Sequence, residues 1–347
     1  MYTREIVPAR ENILDHGRAT AGTWDAPFDS LNLLDIRTSK CKIPAWILNS
    51  RLKEWESFKI HGERFFLSMV FGTVKSYRLL SVFLFDRSTE ERFHFTQFIP
   101  FGGRRPPQNL SNSSIDLRGS TVFFRVHNWL DAQHIRIDLD IEATRKRPPL
   151  TIHLEYVLEP DMQPLVLSLL FPSSLPMYAY KMVTRVRGDI VLGGRHSALN
   201  PDRTTGIVCD NKGYYPYRMR STWCSSSGLD PEGHSFGFSL AENQATDTYK
   251  NNENALWYDK IRTVLPPVQI TMPEGIEKNW IIQDLEGMVD LVFSPQQLVR
   301  SALNLFLSKF DYCAPFGVYN GFLVSASGIQ IPIRNAPGWG EKLYMRI

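Results

Sequence analysis

Ile135-Arg136-Ile137-Asp138-Leu139-Asp140-Ile141 alternates apolar and charged residues without a break. An extended chain has a side-chain period of two, so the four apolar residues share one face and the three charged ones the other, which predicts a half-buried strand. Further on, Leu150, Ile152, Leu154 and Tyr156 alternate in the same way with Thr151, His153 and Glu155. Between the two runs, Arg145-Lys146-Arg147-Pro148-Pro149 is charged and proline-broken, and the pair reads as an antiparallel hairpin.

The rhythm extends outward from this hairpin. Residues 63–72, 75–86, 91–99 and 121–128 are rich in Phe and β-branched residues and read as strands. So do 178–192, 214–224, 234–241, 255–258, 267–271, 280–285, 288–293, 321–325 and 329–333. Residues 100–119, with Gly102-Gly103, Pro106-Pro107 and a Ser/Asn tract, read as one long polar loop. Only Gln296 to Lys309 could be a helix, and its Leu298, Leu303, Leu305 and Leu307 spacing fits neither period well. At 347 residues the chain is long enough for two units. The prolines and serines of Leu170-Phe171-Pro172-Ser173-Ser174-Leu175-Pro176 mark the boundary, giving an N-terminal β unit over 1–172 and a C-terminal one over 173–347. So many strands need their edges closed off, which predicts an all-β chain of two antiparallel barrels or sandwiches in tandem.

Composition narrows the function. Lys and Arg number 39 against 36 Asp and Glu, so no basic footprint points to nucleic acid or an anionic membrane. The N-terminus lacks the pattern of a secretory signal and no window has the ~18 apolar residues of a membrane span, so a soluble, cytoplasmic protein is expected. Cys41, Cys209, Cys224 and Cys313 are scattered, without metal or redox spacing, and read as buried thiols. The sequons at Asn109 and Asn112 then mark a polar loop. No P-loop, GxGxxG, HExxH or GxSxG motif appears, so no nucleotide, metal or other cofactor is expected.

Ionisable residues on apolar faces gather between His196 and Asp259. In Gly233-His234-Ser235-Phe236-Gly237-Phe238-Ser239-Leu240, His234 shares a face with Phe236, Phe238 and Leu240 and is expected to point inward. Beyond Tyr214, Tyr217, Met219 and Trp223 form one face of a strand, with Arg218 and Arg220 on the other as an anion clamp or a solvated pair. His196, Asp202 and Asp210 fall in a connection that could edge a pocket. In Asn251-Asn252-Glu253-Asn254-Ala255-Leu256-Trp257, alternation puts Glu253 beside Trp257, facing the interior, with Asn252 and Asn254 as amide donors. A buried carboxyl so placed serves as a general acid or ties down a turn. Near the C-terminus, Gly338-Trp339-Gly340-Glu341 brings another tryptophan and carboxylate together, as a barrel plug or a ligand contact.

Taken in order, GYYPYRMRSTW, GHSFGFSLA, NNENALWYD and GWGEKLY resemble the family called DUF 2804 over most of the chain. More distantly, the chain is similar to the two-domain lipocalin-like group of carotenoid hydratases, tocopherol cyclases and pericyclic cyclases. That resemblance implies two lipocalin-like β units with a small-molecule site in or between them. Glu341 matches the Gly-x-Glu ending of the hydratases, but Lys342 follows where those have histidine.

The leading expectation is an acid–base enzyme of hydratase, cyclase or isomerase type, acting on an organic molecule in an aromatic-lined cavity. Glu253 would be the proton donor, assisted by His234 and Asp210. Arg218 or Arg220 would hold a polar group, Trp223 and Trp257 would form walls, and Tyr214, His196, Asn254, Trp339 and Glu341 would line the remainder. Two alternatives stand beside it. One is a non-enzymatic carrier of a lipid or other apolar ligand. The other is a carbohydrate-active enzyme pairing Glu253 with Asp210 or Asp247 across ~5 to 9.5 Å.

Overall fold

The computed structural model describes residues 1–37, 43–62, 64–74, 77–99, 106–108, 110–305 and 308–346. Cys41, the double glycine at 102–103 and the sequon residue Asn109 lie outside the described residues. Four short strands open the chain: β1 (Ile6–Val7), β2 (Leu14–Asp15), β3 (Arg18–Ala19) and β4 (Gly22–Trp24). A seven-residue helix, α1 (Ala45–Arg51), starts directly after Pro44. Its fixed φ suits a helix start, and seven residues are too few to leave an amphipathic signature in the sequence.

The long strands follow. β5 (Lys53–Gly62), β6 (Phe65–Val74), β7 (Tyr77–Asp86) and β8 (Glu91–Ile99) form a meander. β9 (Ser113–Arg118), β10 (Val122–Trp129), β11 (His134–Ile141) and β12 (Leu150–Val157) form a second one. β13 (Leu165–Phe171), β14 (Leu175–Leu192), β15 (Arg195–Leu199) and β16 (Thr204–Gly213) then join the two meanders, giving the order β8-β7-β6-β5-β16-β14-β12-β11-β10-β9. The opening hairpin pairs as expected, Ile137 opposite Leu154 and Leu139 opposite Ile152. Its apolar faces are buried in the largest core cluster. Phe58 of β5 touches Tyr156 of β12 at 5.9 Å between ring centroids, so the sheet curls until its ends share one interior.

The second sheet holds β17 (Arg218–Leu229), β18 (Ser235–Glu242), β19 (Ala255–Tyr258), β20 (Ile261–Val264), β21 (Val268–Thr271), β22 (Trp280–Asp284), β23 (Val289–Leu305), β24 (Ser308–Val324) and β25 (Gln330–Arg346). Their order is β20-β19-β18-β17-β25-β24-β23-β22-β21, and a second core fills its concave side. The fold is thus nearly all β, two curled sheets in tandem. The chain passes from one sheet to the other at residues 214–217. The prolines at Leu170–Pro176 instead make a tight turn between β13 and β14, with Phe171 opposite Leu175, inside the first sheet.

Two sequence expectations fail. Residues 296–305 belong to β23 and 308–309 to β24, not to a helix, and 306–307 lie outside the described residues; a register shift between Pro295 and Gln297 interrupts the alternation that would have marked a strand. The stretch taken as one loop over 100–119 contains strand β9, whose Ile115 is buried against the core. Cys209, Cys224 and Cys313 are buried free thiols. Among the described residues no helix is long and apolar enough to cross a membrane.

A polar seam between the two sheets

Odd-numbered residues of β5, β16 and the first half of β14 face the second sheet, and odd-numbered residues of β17, β18 and residues 337–345 of β25 face back. Strand alternation makes this inevitable once a single pair is in contact. Before the register shift in β25, Ile331 and Ile333 point into the second core instead. Lys59 forms an ion pair with Glu341. The Lys181 ammonium reaches Glu253 at 2.8 Å and the Ser239 hydroxyl at 3.0 Å. Both lysines are 2% exposed, so each would be costly without its carboxylate. Trp223 lies between them. Lys59 Nζ sits 3.8 Å and Lys181 Nζ 5.1 Å from its ring centroid, and the indole N–H donates to Ser239 Oγ at 2.7 Å. Asn243 donates to Glu253 at 2.6 Å.

Two residues along β5, His61 Nδ1 lies 3.0 Å from Ser227 Oγ, which also accepts the Thr205 hydroxyl at 2.8 Å. Burial, and then the nearby Lys59 ammonium, hold the imidazole's pKa down at about 3, so it is neutral. The tautomer that uses every hydroxyl proton runs Thr205 to Ser227 to His61 Nδ1 and leaves the proton on Nε2. His61 Nε2, the Ser225 hydroxyl and the Trp339 indole N–H are buried without a hydrogen-bond partner among the described residues. Ser225 and Trp339 are directly opposite in register, and Ser227 is the next residue on that face. Beside these donors stands an aromatic wall. Trp339 packs on Phe83 at 5.5 Å and Phe316 at 5.6 Å, and Phe66 meets Phe316 at 4.8 Å.

The sequence-named residues therefore separate. Trp223, Glu253, Trp339 and Glu341 meet at the seam. Glu253, Ala255 and Trp257 all face the first sheet, and Trp257 donates its N–H to Gln163 O at 2.8 Å. The expected amide donors do other work. Asn252 accepts from the Asn254 backbone N–H, while the Asn254 side chain bridges Ala241 N and Pro266 O. Tyr214 is buried and donates to Leu33 O at 3.1 Å, a brace inside the first unit.

His234 corrects the reading most sharply. β18 begins at Ser235, and His234 lies outside it in the turn made by Asp230 and Gly233. Its side chain is 46% exposed and bound to Asp230 at 3.2 Å. Phe236, Phe238 and Leu240 do point inward, into the second core. His196 is exposed on β15, 2.7 Å from Asp189. Tyr217 is exposed and precedes β17, away from Met219 and Trp223. Arg218 and Arg220 are also exposed. Arg220 lines a surface cleft of about 340 Å³ with Thr222, Asp311, Cys313, Lys342 and Tyr344, on the face of the second sheet opposite the seam.

Asp210 is on strand β16, not in a connection. It is fully buried on the other face of the first sheet, so the sheet's own backbone separates it from Glu253. Asp247 is 47% exposed and paired with Lys250. No pair of carboxylates facing across a cleft forms from these three. Lys59, His61, Lys181, Ser225 and Ser227 were not found by sequence reasoning. Lys53–Gly62 mixes polar residues onto both faces because both faces are buried, so it carries no alternation to read.

The family described as Domain of unknown function (DUF2804) matches residues 3–347, and the chain belongs to that family. No curated protein sequence matches it. Among solved structures, CghA determined with Sch210972 is similar, with a TM-score of 0.56 and 10% identity, over 86% of this chain and 89% of that one. A second CghA structure gives 0.55 with the same identity and coverage. These two likenesses show a shared fold of the lipocalin-like kind. Kievitone hydratase from Nectria haematococca gives 0.47 at 10% identity, over 85% of this chain and 88% of that one.

Proposed function

We propose that this protein is an acid–base enzyme of the hydratase, cyclase or isomerase kind, and that its substrate is an organic molecule held at the seam by a carbonyl oxygen. The observation that carries this reading is the set of three buried donors, His61 Nε2–H, Ser225 O–H and Trp339 N–H, that no protein acceptor satisfies. A neutral imidazole, a hydroxyl and an indole N–H are what polarises a carbonyl as negative charge develops on its oxygen. Lys59 and Glu341, already in contact, supply a pair across which a proton can move to or from the adjacent carbon. Trp223 and the Phe66, Phe83 and Phe316 wall would hold the apolar body. The fold shared with CghA, a protein crystallised with Sch210972, is in keeping with a small organic ligand.

The test compares 2-acetylnaphthalene with 2-ethylnaphthalene, which has the same ring system without the oxygen, by quenching of tryptophan fluorescence. A site built for a carbonyl should bind the ketone at least about tenfold more tightly, and Ser225→Ala should erase most of that preference. Equal binding of the two would sink the carbonyl assignment. NMR of the ketone's methyl protons in D₂O separates enzyme from carrier. Exchange faster than in buffer supports catalysis, while tight binding with buffer-rate exchange leaves a carrier.

A further inference from the structure

The other face of β5, β16 and β14 carries a second polar cluster that this reaction does not use. Glu56 and Asp210 are directly opposite each other on adjacent strands, both 0% exposed. Lys212 forms an ion pair with Asp210. Asn128 reaches in from β10 and donates to Glu56 Oε2 at 3.3 Å. Tyr180 and Tyr178 stand opposite Asp210 and Lys212 on β14, and Glu54 precedes Glu56 on the same face.

Donors and acceptors do not balance here. Glu56 Oε1, Asp210 Oδ2 and Asn128 Oδ1 are all acceptors, all buried, and none has a donor among the described residues. Buried oxygens are rarely left so. Lys212 is paired with Asp210, and above its raised pKa of about 8 the Glu56 carboxyl adds a further negative charge in the interior of the first sheet. The missing species must offer positive charge to three oxygens while taking little room.

We propose that Glu56, Asp210 and Asn128 form a binding site for a monovalent cation such as sodium or potassium. Oxygen donors suit these hard ions. The Lys212 ammonium held on Asp210 repels a divalent ion at these oxygens more strongly than a monovalent one. The ion would tie β10 to β5 and β16, holding the curl of the first sheet.

The test is thermal unfolding of the full chain at pH 9, above the raised Glu56 value of about 8, in equimolar sodium, potassium or choline chloride. Choline has the same charge and is too large for the cluster. Sodium or potassium should raise Tm by about 3 °C over choline. Glu56→Gln and Asn128→Leu should each reduce that difference below about 1 °C. Equal Tm in all three salts overturns the site. A salt-specific difference that survives in both variants overturns it too, by placing the ion elsewhere.

Discussion

Glu56→Gln is expected to make the chain more stable in alkaline buffer, although it removes a fully buried side chain's charge. Burial, and then the neighbouring Asp210 carboxylate, push the Glu56 carboxyl up to about 8 from an ordinary 4.5. Between those two values the folded chain holds a proton that the unfolded chain has released. Stability is therefore fully present below pH 4.5, falls as pH rises through the window, and levels off above about 8. At roughly 1.4 kcal/mol per pH unit, the window amounts to about 5 kcal/mol. Part of this returns to Asp210 once its neighbour is neutral, so a gain of about 2 to 4 kcal/mol at pH 9 is expected. Glutamine stays neutral at every pH, and its amide can donate to Asp210. Urea unfolding at pH 7, 8 and 9, where His61 is neutral in the folded chain and nearly so in the unfolded one, measures the effect in choline chloride, which keeps small cations out. The wild-type chain should lose stability along that series, with the variant's curve much flatter. A variant whose stability falls as steeply as the wild type's would refute the reasoning.

Three further outcomes follow from the seam. Lys181→Met leaves Glu253 buried without its ammonium and should cost about 3 to 5 kcal/mol in urea unfolding, while Lys181→Met with Glu253→Leu should cost clearly less. Gly237→Ala puts a Cβ 2.6 Å from Val183 Cγ2; it should cost about 1 to 3 kcal/mol, and Val183→Ala should recover part of that loss. His234→Ala removes surface contacts with Asp230 and Tyr258, far from the seam, and should shift stability by less than about 0.5 kcal/mol, with no change in naphthyl ketone binding.

The fold was legible wherever one face of a strand meets water. Ile135–Ile141 and Leu150–Val157 alternate because their partners on the outer face, such as Asp138 and His153, are solvated. β5 and the Ser225-Ser226-Ser227 run were silent for the opposite reason. Trapped between two layers, they place polar side chains inside on both faces, and polarity stops reporting exposure. The face Ser235-Gly237-Ser239 looked solvent-directed because its residues are small. Small residues are what the close approach of two sheets requires there. Half of the seam was still within reach: Trp223, Glu253, Trp339 and Glu341 announce themselves as charge and tryptophan on apolar strands. Their partners Lys59 and Lys181 lie far away in the chain, and single-sequence patterns carry no information about such pairings.

Lys59 and Lys181 belong to the segment before residue 214, while Glu341 and Glu253 belong to the one after residue 217. Cut in that connection, the chain would yield two fragments with complementary poles, two cationic stems on one and two anionic ones on the other. Such halves carry their own address. Opposite poles would steer their encounter, and salt should slow recombination more than it loosens the finished joint, whose charges are buried. The seam is therefore a docking code written inside a single polypeptide, which makes 214–217 the place to divide this protein for fragment complementation.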